Sequence, residues 1–190
     1  MRHARASLLE YLKVPFAGDE LAAELLLGAI LSRLRTRGAH QPIGPLFVNF
    51  SKDLSLAGKG QPSGAAIVQR FVEQVLPVSL LVPLSIAQLN NYLYAPKKCF
   101  QSNRLVRGRL QLAAGSFVVI DESDMNEGKL IDRGVRNLQG FSKIITSQTL
   151  PYDFVYDVLD YETDIVFSMF SFGKSLLPVC FGSRDGITST

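Results

Sequence analysis

The segment Phe117 to Glu122, FVVIDE, sets two carboxylates directly after a run of four apolar residues. An uninterrupted apolar run of this kind suits a strand covered on both faces. Asp121 and Glu122 then fall at the carboxyl edge of a sheet, where open α/β folds bind ligands. In phosphate-loop NTPases an acidic residue at this place helps hold magnesium, and in many a second carboxylate orients water. The chemistry at stake is nucleotide hydrolysis. Against it stands a plainer reading, that a buried strand leaving a sheet simply ends in acidic residues.

The second half of that machinery decides between the two. Hydrolysis needs G-x-x-x-x-G-K-[ST], because backbone N–H groups and one lysine must cradle the phosphates. Gly173-Lys174-Ser175 supplies the last three letters, but Ser168 stands where the first glycine belongs, and the segment follows the acidic strand instead of preceding it. Gly58-Lys59-Gly60 lacks the Ser/Thr and a strand feeding directly into it. AGDELAAE precedes an apolar helical stretch, yet Ala22, Ala23 and Glu24 fall where Gly, Lys and Ser/Thr are needed. A glutamate there repels triphosphate. The loss of one well-placed electrostatic donor commonly costs about 10²–10³ in rate, and here the whole cradle is missing. No catalytic residue, cofactor or metal is therefore expected, and Asp121 and Glu122 read as a degenerate acidic strand end.

Other constellations are weaker. No G-x-S-x-G elbow occurs. His3 and His40 cannot form a zinc site with Cys99 and Cys180 at usual spacings, and the two distant cysteines point to a reducing compartment. Asp153, Asp157, Asp160, Glu162 and Asp164 lie in an alternating segment and read as a solvated strand-and-turn face. Lys97, Lys98, Arg104, Arg107 and Arg109 form a possible basic interaction patch for DNA phosphate or an acidic protein surface, set against a solvated helix face with loop lysines. No aromatic-interleaved motif supports direct nucleic-acid reading.

The elements that position these residues alternate. Leu21–Leu34 is rich in Ala and Leu, apolar nearly all round, and predicts a buried helix capped by Asp19 and stopped by Gly38. Leu46–Phe50 predicts a strand, and Val68, Phe71, Val72 and Val75 mark the face of a helix. Ser79–Leu84 reads as a strand whose Pro83 places it at a strand end or sheet edge. Ser85 and Gln88 form a capping-box pattern that opens a helix through Ile86, Leu89 and Leu93. Asn103 caps a further short helix over RLVRGRLQL. Ser116–Ile120 is the strongest strand; a helix through Val135, Leu138, Ile144 and Ile145 follows. Strands are then expected over Phe154–Val158 and Asp164–Phe170. The pattern predicts a three-layer α/β fold with a largely parallel sheet.

At 190 residues the chain is expected to form one domain over residues 1–190, with a core large enough to need no disulfide or metal. A net charge of +3 does not by itself imply nucleic acid. Leu21–Leu34 is too short and too interrupted, by Glu24 and Arg33, to span a bilayer. MRHARASLLEYLKVPF carries Glu10 and Lys13 within its apolar run and does not read as a signal peptide.

Taken in order, GDELAAELLLGAILSRL, NRLVRGRLQL running into SFVVIDES, LPYDFVYD and DIVFSMFSFGKSLLP make the chain resemble the minichromosome maintenance complex-binding proteins, from about Leu8 to Pro178. Members of that family are longer, and the match falls in their carboxy-terminal half. The resemblance implies a P-loop/AAA-like sandwich whose phosphate loop is degenerate. It implies a non-enzymatic partner of minichromosome maintenance (MCM) helicase subunits in the nucleus, acting in helicase assembly or unloading during DNA replication and in sister chromatid cohesion. Chromatin would be met indirectly, with no membrane and no direct DNA contact. The competing readings are a P-loop-type ATPase with an atypical phosphate loop and, more weakly, a DNA-binding domain acting through Lys97, Lys98 and Arg104.

Overall fold

The computed structural model describes residues 2–38, 42–51, 63–125, 127–172 and 175–178. The chain opens with helix α1 (Arg2–Lys13), a single 3-10 turn (Val14–Phe16) and α2 (Glu20–Leu31). The first helix was not foreseen from sequence. It packs Leu9 and Leu12 inward beside Phe16. Asp19 caps α2 as predicted, accepting from the Ala22 N–H at 3.1 Å. The helix ends earlier than expected, at Leu31, because Ser32 turns extended and its hydroxyl donates to the Ala29 carbonyl at 2.8 Å. Nor is α2 buried all round: Ala23, Leu26, Leu27, Ala29 and Ile30 face the core, while Leu21 and Leu31 are exposed.

Two short strands, β1 (Thr36–Arg37) and β2 (Pro42–Ile43), pair antiparallel. Then come β3 (Val48–Phe50), α3 (Gly64–Val75), β4 (Ser79–Pro83) and α4 (Ile86–Asn91). Ser63 caps α3 by accepting from the Ala66 N–H, and Ser85 caps α4 by accepting from the Gln88 N–H, both at 3.2 Å. Leu93 lies beyond the end of α4.

The remaining elements are β5 (Lys97–Cys99), β6 (Arg104–Val106), β7 (Ser116–Asp121), α5 (Asp132–Ser147), β8 (Thr149–Asp153), β9 (Val158–Glu162) and β10 (Ile165–Phe170). The main sheet runs β3-β10-β7-β4, and each neighbouring pair is parallel. The two long apolar runs, β7 and β10, are its inner strands. β4 lies at an edge and ends in Pro83, where a missing N–H does least harm.

Period-two alternation splits the inner strands between two cores. Phe117, Val119, Val166 and Phe170 pack with α1, α2 and α3. Val118, Ile120, Ile165, Phe167 and Met169 pack with Leu89 of α4 and Phe141, Ile144 and Ile145 of α5. Helices thus cover both faces of a parallel sheet. Aromatic rings reinforce each side. Phe50 lies 5.0 Å from both Phe16 and Phe170, and Phe167 sits 5.9 Å from Phe141 and 6.0 Å from Phe47. Burying one such ring is worth about 1.5–3 kcal/mol.

A second sheet, β6-β5-β8-β9, corrects two expectations. The predicted helix over RLVRGRLQL does not form. Asn103 instead takes a left-handed conformation at the end of a turn, and Arg104–Val106 folds back antiparallel on Lys97–Cys99. Gly108 then lies against the Tyr94 carbonyl, where a Cβ would meet that oxygen at 2.2 Å. The predicted strand over Phe154–Val158 falls on a turn. Asp153 Oδ1 accepts from the Val155 N–H at 2.8 Å, and the Phe154 N–H donates to the Asp157 carbonyl at 2.9 Å. These local bonds turn β8 back as β9, with Val155 at φ 77°.

Candidate functional site

The carboxyl edge of the parallel sheet holds Asp121 and Glu122 as the sequence implied, but their oxygens are occupied from within. Asp121 accepts from the hydroxyl of Ser63, the α3 cap, through one oxygen. Its other oxygen accepts from the Ser123 hydroxyl at 2.5 Å and the Ser123 N–H at 3.0 Å. Glu122 is 3% exposed, and its Oε1 accepts from the Ser175 hydroxyl at 3.0 Å. Burial pushes the Glu122 carboxyl above the usual range, against the lowering effect of bonds from Ser175 and the Leu176 backbone.

The candidate cradle segments divide. Ala22, Ala23 and Glu24 lie inside α2, and Glu24 pairs with Arg5 at 2.8 Å on the surface. Gly58-Lys59-Gly60 and Gly173-Lys174 fall outside the described residues, as do His40 and Cys180. His3 sits on α1. Cys99 is a free thiol on β5, held below its ordinary pKa by hydrogen bonds from Ser102 and Gln101. Among the described residues no group of three or more His, Cys, Asp or Glu could hold a metal ion. No described helix is long and apolar enough to cross a membrane.

Of the five basic residues singled out by sequence, Lys97, Lys98 and Arg104 lie on the paired strands β5 and β6, and Arg107 and Arg109 on the segment that follows. Lys97 and Lys98 are on β5, and Lys97 approaches Asp153 at 3.4 Å. Arg104 opens β6. Arg107 donates to the Gln111 carbonyl at 3.3 Å. Arg109 lies over the Tyr92 ring, 3.5 Å from its centroid. That cation–π contact ties the segment after β6 to the exit of α4. The acidic cluster is divided among separate tasks. Asp153 pairs with Lys97 and Arg136, Asp160 with Lys143 and Glu162 with Arg37. Asp157 accepts from the Val158 N–H, and Asp164 accepts from the Leu34 N–H.

One concave site gathers residues that no local motif linked. A cleft of about 940 Å³ opens between α5 and the second sheet. Lys97 and Lys98 of β5 line it together with Arg133, Arg136 and Lys143 of α5, and strand register sets Lys97 on the sheet face that also carries Val106, Asp153 and Val158. Asp132 and Asp153 are the carboxylates in its lining. Sequence reasoning missed the α5 contribution, although Arg133, Arg136 and Lys143 are spaced by three and seven and so share one helix face. One wall is fixed by a buried amide. Asn137 Oδ1 accepts from the Tyr94 N–H at 3.1 Å, and its Nδ2 donates to the Leu89 and Tyr92 carbonyls at 2.7 and 2.8 Å.

Comparison with known proteins places this geometry in context. The family described as mini-chromosome maintenance replisome factor matches residues 1–182. The chain is 34% identical over 177 residues to the mini-chromosome maintenance complex-binding protein of Gallus gallus, covering 92% of this chain and 27% of that protein. It is 36% identical over 170 residues to the Drosophila melanogaster protein of the same name, covering 90% and 27%. For the Homo sapiens protein the identity is 34% over 177 residues, covering 92% and 26%. The chain therefore spans about a quarter of the length of the curated relatives it matches.

Proposed function

The chain belongs to the mini-chromosome maintenance replisome factor family, and from that premise we propose that it is a non-enzymatic binding module for subunits of the MCM helicase in DNA replication. The observation that carries the reading is the match to complex-binding relatives over nine-tenths of the chain. The setting we propose is the nucleus, in helicase assembly or unloading and in sister chromatid cohesion, with chromatin reached through the helicase.

We further read the parallel sheet as a degenerate P-loop/AAA-like core. Three features support this. Strand β3 connects through α3 to the far edge, and β7 and β10 fill the space between. The acidic pair stands at the end of β7. At the start of α3, where a nucleotide enzyme of this layout presents its cradle, Ser63 gives its hydroxyl to Asp121. A carboxylate held by two serine hydroxyls is suited to fixing a sheet edge, and that favours a scaffold over a hydrolase.

Co-precipitation from nuclear extract tests the partner, with enrichment of helicase subunits over a control chain as the expected result. Absence of enrichment contradicts the reading. Calorimetry with ATP and magnesium tests the fold's chemistry. No binding heat is expected for wild type or Asp121→Asn; heat that disappears in Asp121→Asn revives the ATPase reading.

A further inference from the structure

We propose that the cleft between α5 and the second sheet is the docking site for an extended protein segment in which acidic residues alternate with apolar ones. The inference rests on the binding-module reading only for which protein carries that segment. The chemistry of the cleft argues for it independently.

Charge comes first. Lys97, Lys98, Arg133, Arg136 and Lys143 outnumber Asp132 and Asp153 in the lining. The pairs already made do not consume this excess. Asp153 is shared between Lys97 and Arg136, and Lys143 meets Asp160 on β9. Among the described residues, Lys98 and Arg133 enter no salt bridge; Arg133 donates to the Asn91 carbonyl at 3.2 Å. Such cations, set on the walls of a concave surface, attract an anionic partner.

Shape and polarity narrow the class. Lys143 lies ten residues beyond Arg133 on α5, a row about 15 Å long at about 1.5 Å per residue. An extended strand repeats its side chains on one face about every 6.6 Å, so acidic residues at alternate positions can follow this row. The sheet wall opposite α5 is mixed, with Val106, Pro151, Val155 and Val158 beside Lys97 and Asp153. An alternating peptide sends its other side chains there. The sheet is also loosely joined at this point, since β5 and β8 share the single register pair Lys97 with Asp153. Nucleic acid would present phosphates but nothing for the apolar side chains of that wall, and the lining carries no aromatic face on which bases could stack.

The test uses a fluorescein-labelled peptide of about eight residues alternating glutamate and leucine, roughly 26 Å when extended. A lysine–leucine peptide and a short oligothymidine serve as the other arms. Anisotropy with the full chain should show binding of the glutamate peptide alone, weakening as salt rises. Lys98→Glu with Arg133→Glu should weaken it at least about tenfold. The milder Lys98→Gln, Arg133→Gln pair should weaken it by a smaller factor, and serves if charge reversal disturbs folding. Equal binding of oligothymidine would replace the peptide with nucleic acid and overturn the proposal. So would peptide binding indifferent to both variant pairs, or none at all. Helicase capture measured in parallel separates the two readings. Capture without peptide binding leaves the module and removes the cleft; peptide binding without capture does the reverse.

Discussion

The carboxyl edge of the parallel sheet and the α5 cleft are both rich in charge, yet they treat it in opposite ways. At the sheet edge, Asp121 and Glu122 take hydroxyls from Ser63, Ser123 and Ser175 of their own chain. In the cleft, Lys98 and Arg133 stand in the lining outside any described ion pair, and Lys97 and Arg136 share the single acceptor Asp153. Internally satisfied charge fixes a fold; unsatisfied surface charge is available to a partner. The comparison therefore assigns stability to the first region and recognition to the second, and the two can be separated by substitution.

The largest effect should come from a ring in the core beneath α5. Phe167→Ala removes a fully buried side chain that packs against both Phe47 and Phe141 in one core. We expect a loss of about 3–5 kcal/mol in urea unfolding with an unchanged m-value. Asn137→Ala should follow at about 3 kcal/mol, because it strands one backbone N–H and two carbonyls at the cleft wall. Glutamate-peptide affinity should fall with it. Ser63→Ala removes the cap of α3 and one donor to Asp121, and should cost about 1–2 kcal/mol without changing peptide affinity. If it weakened the peptide, the division between the regions would fail.

A smaller effect should appear as pH dependence. Burial raises the Glu122 carboxyl in the folded chain, so the folded state keeps its proton to higher pH than the unfolded state does. Between the two values the unfolded chain holds fewer protons, and this group's contribution to stability falls as pH rises from the ordinary carboxylate value through the raised one. Glu122→Gln should abolish that component, which paired urea titrations across the acidic range can measure. The smallest stability change, within about 0.5 kcal/mol, is expected for Lys98→Glu with Arg133→Glu, since neither residue is in a described ion pair.

These contrasts also explain what could be read in advance. SFVVI and DIVFSMF were legible as inner strands because burial on both faces permits no polar interruption. Asp19 and Ser85 were legible as caps because capping is a local bond between a side chain and the N–H three residues on. The second sheet was not. Its strands are three to five residues long, β6 and β9 are exposed throughout, and pairing rather than burial defines them. Arg104–Val106 lies among helix-favouring residues, but the Phe100–Asn103 turn, closed by the Asn103 N–H donating to the Phe100 carbonyl at 3.3 Å, folds it back as a strand, and α1 begins with basic residues that a targeting segment shares. Phe154–Val158 alternated like a strand, but Asp153 and Asp157 bond locally and force a reversal. The acidic edge was readable from FVVIDE, whereas two of the three hydroxyls that occupy it come from Ser63 and Ser175, far away in sequence. The cleft joins residues 91 to 158 and has no motif; two of its five cations lie on β5 and three on α5.

The division of labour is tested most directly by helicase capture from nuclear extract with three chains at equal concentration: wild type, Asp121→Asn, and Lys98→Glu with Arg133→Glu. Capture by Asp121→Asn should match wild type, while the cleft variant should retain no more than about a tenth of it. Full capture by the cleft variant alongside loss in Asp121→Asn would contradict the account.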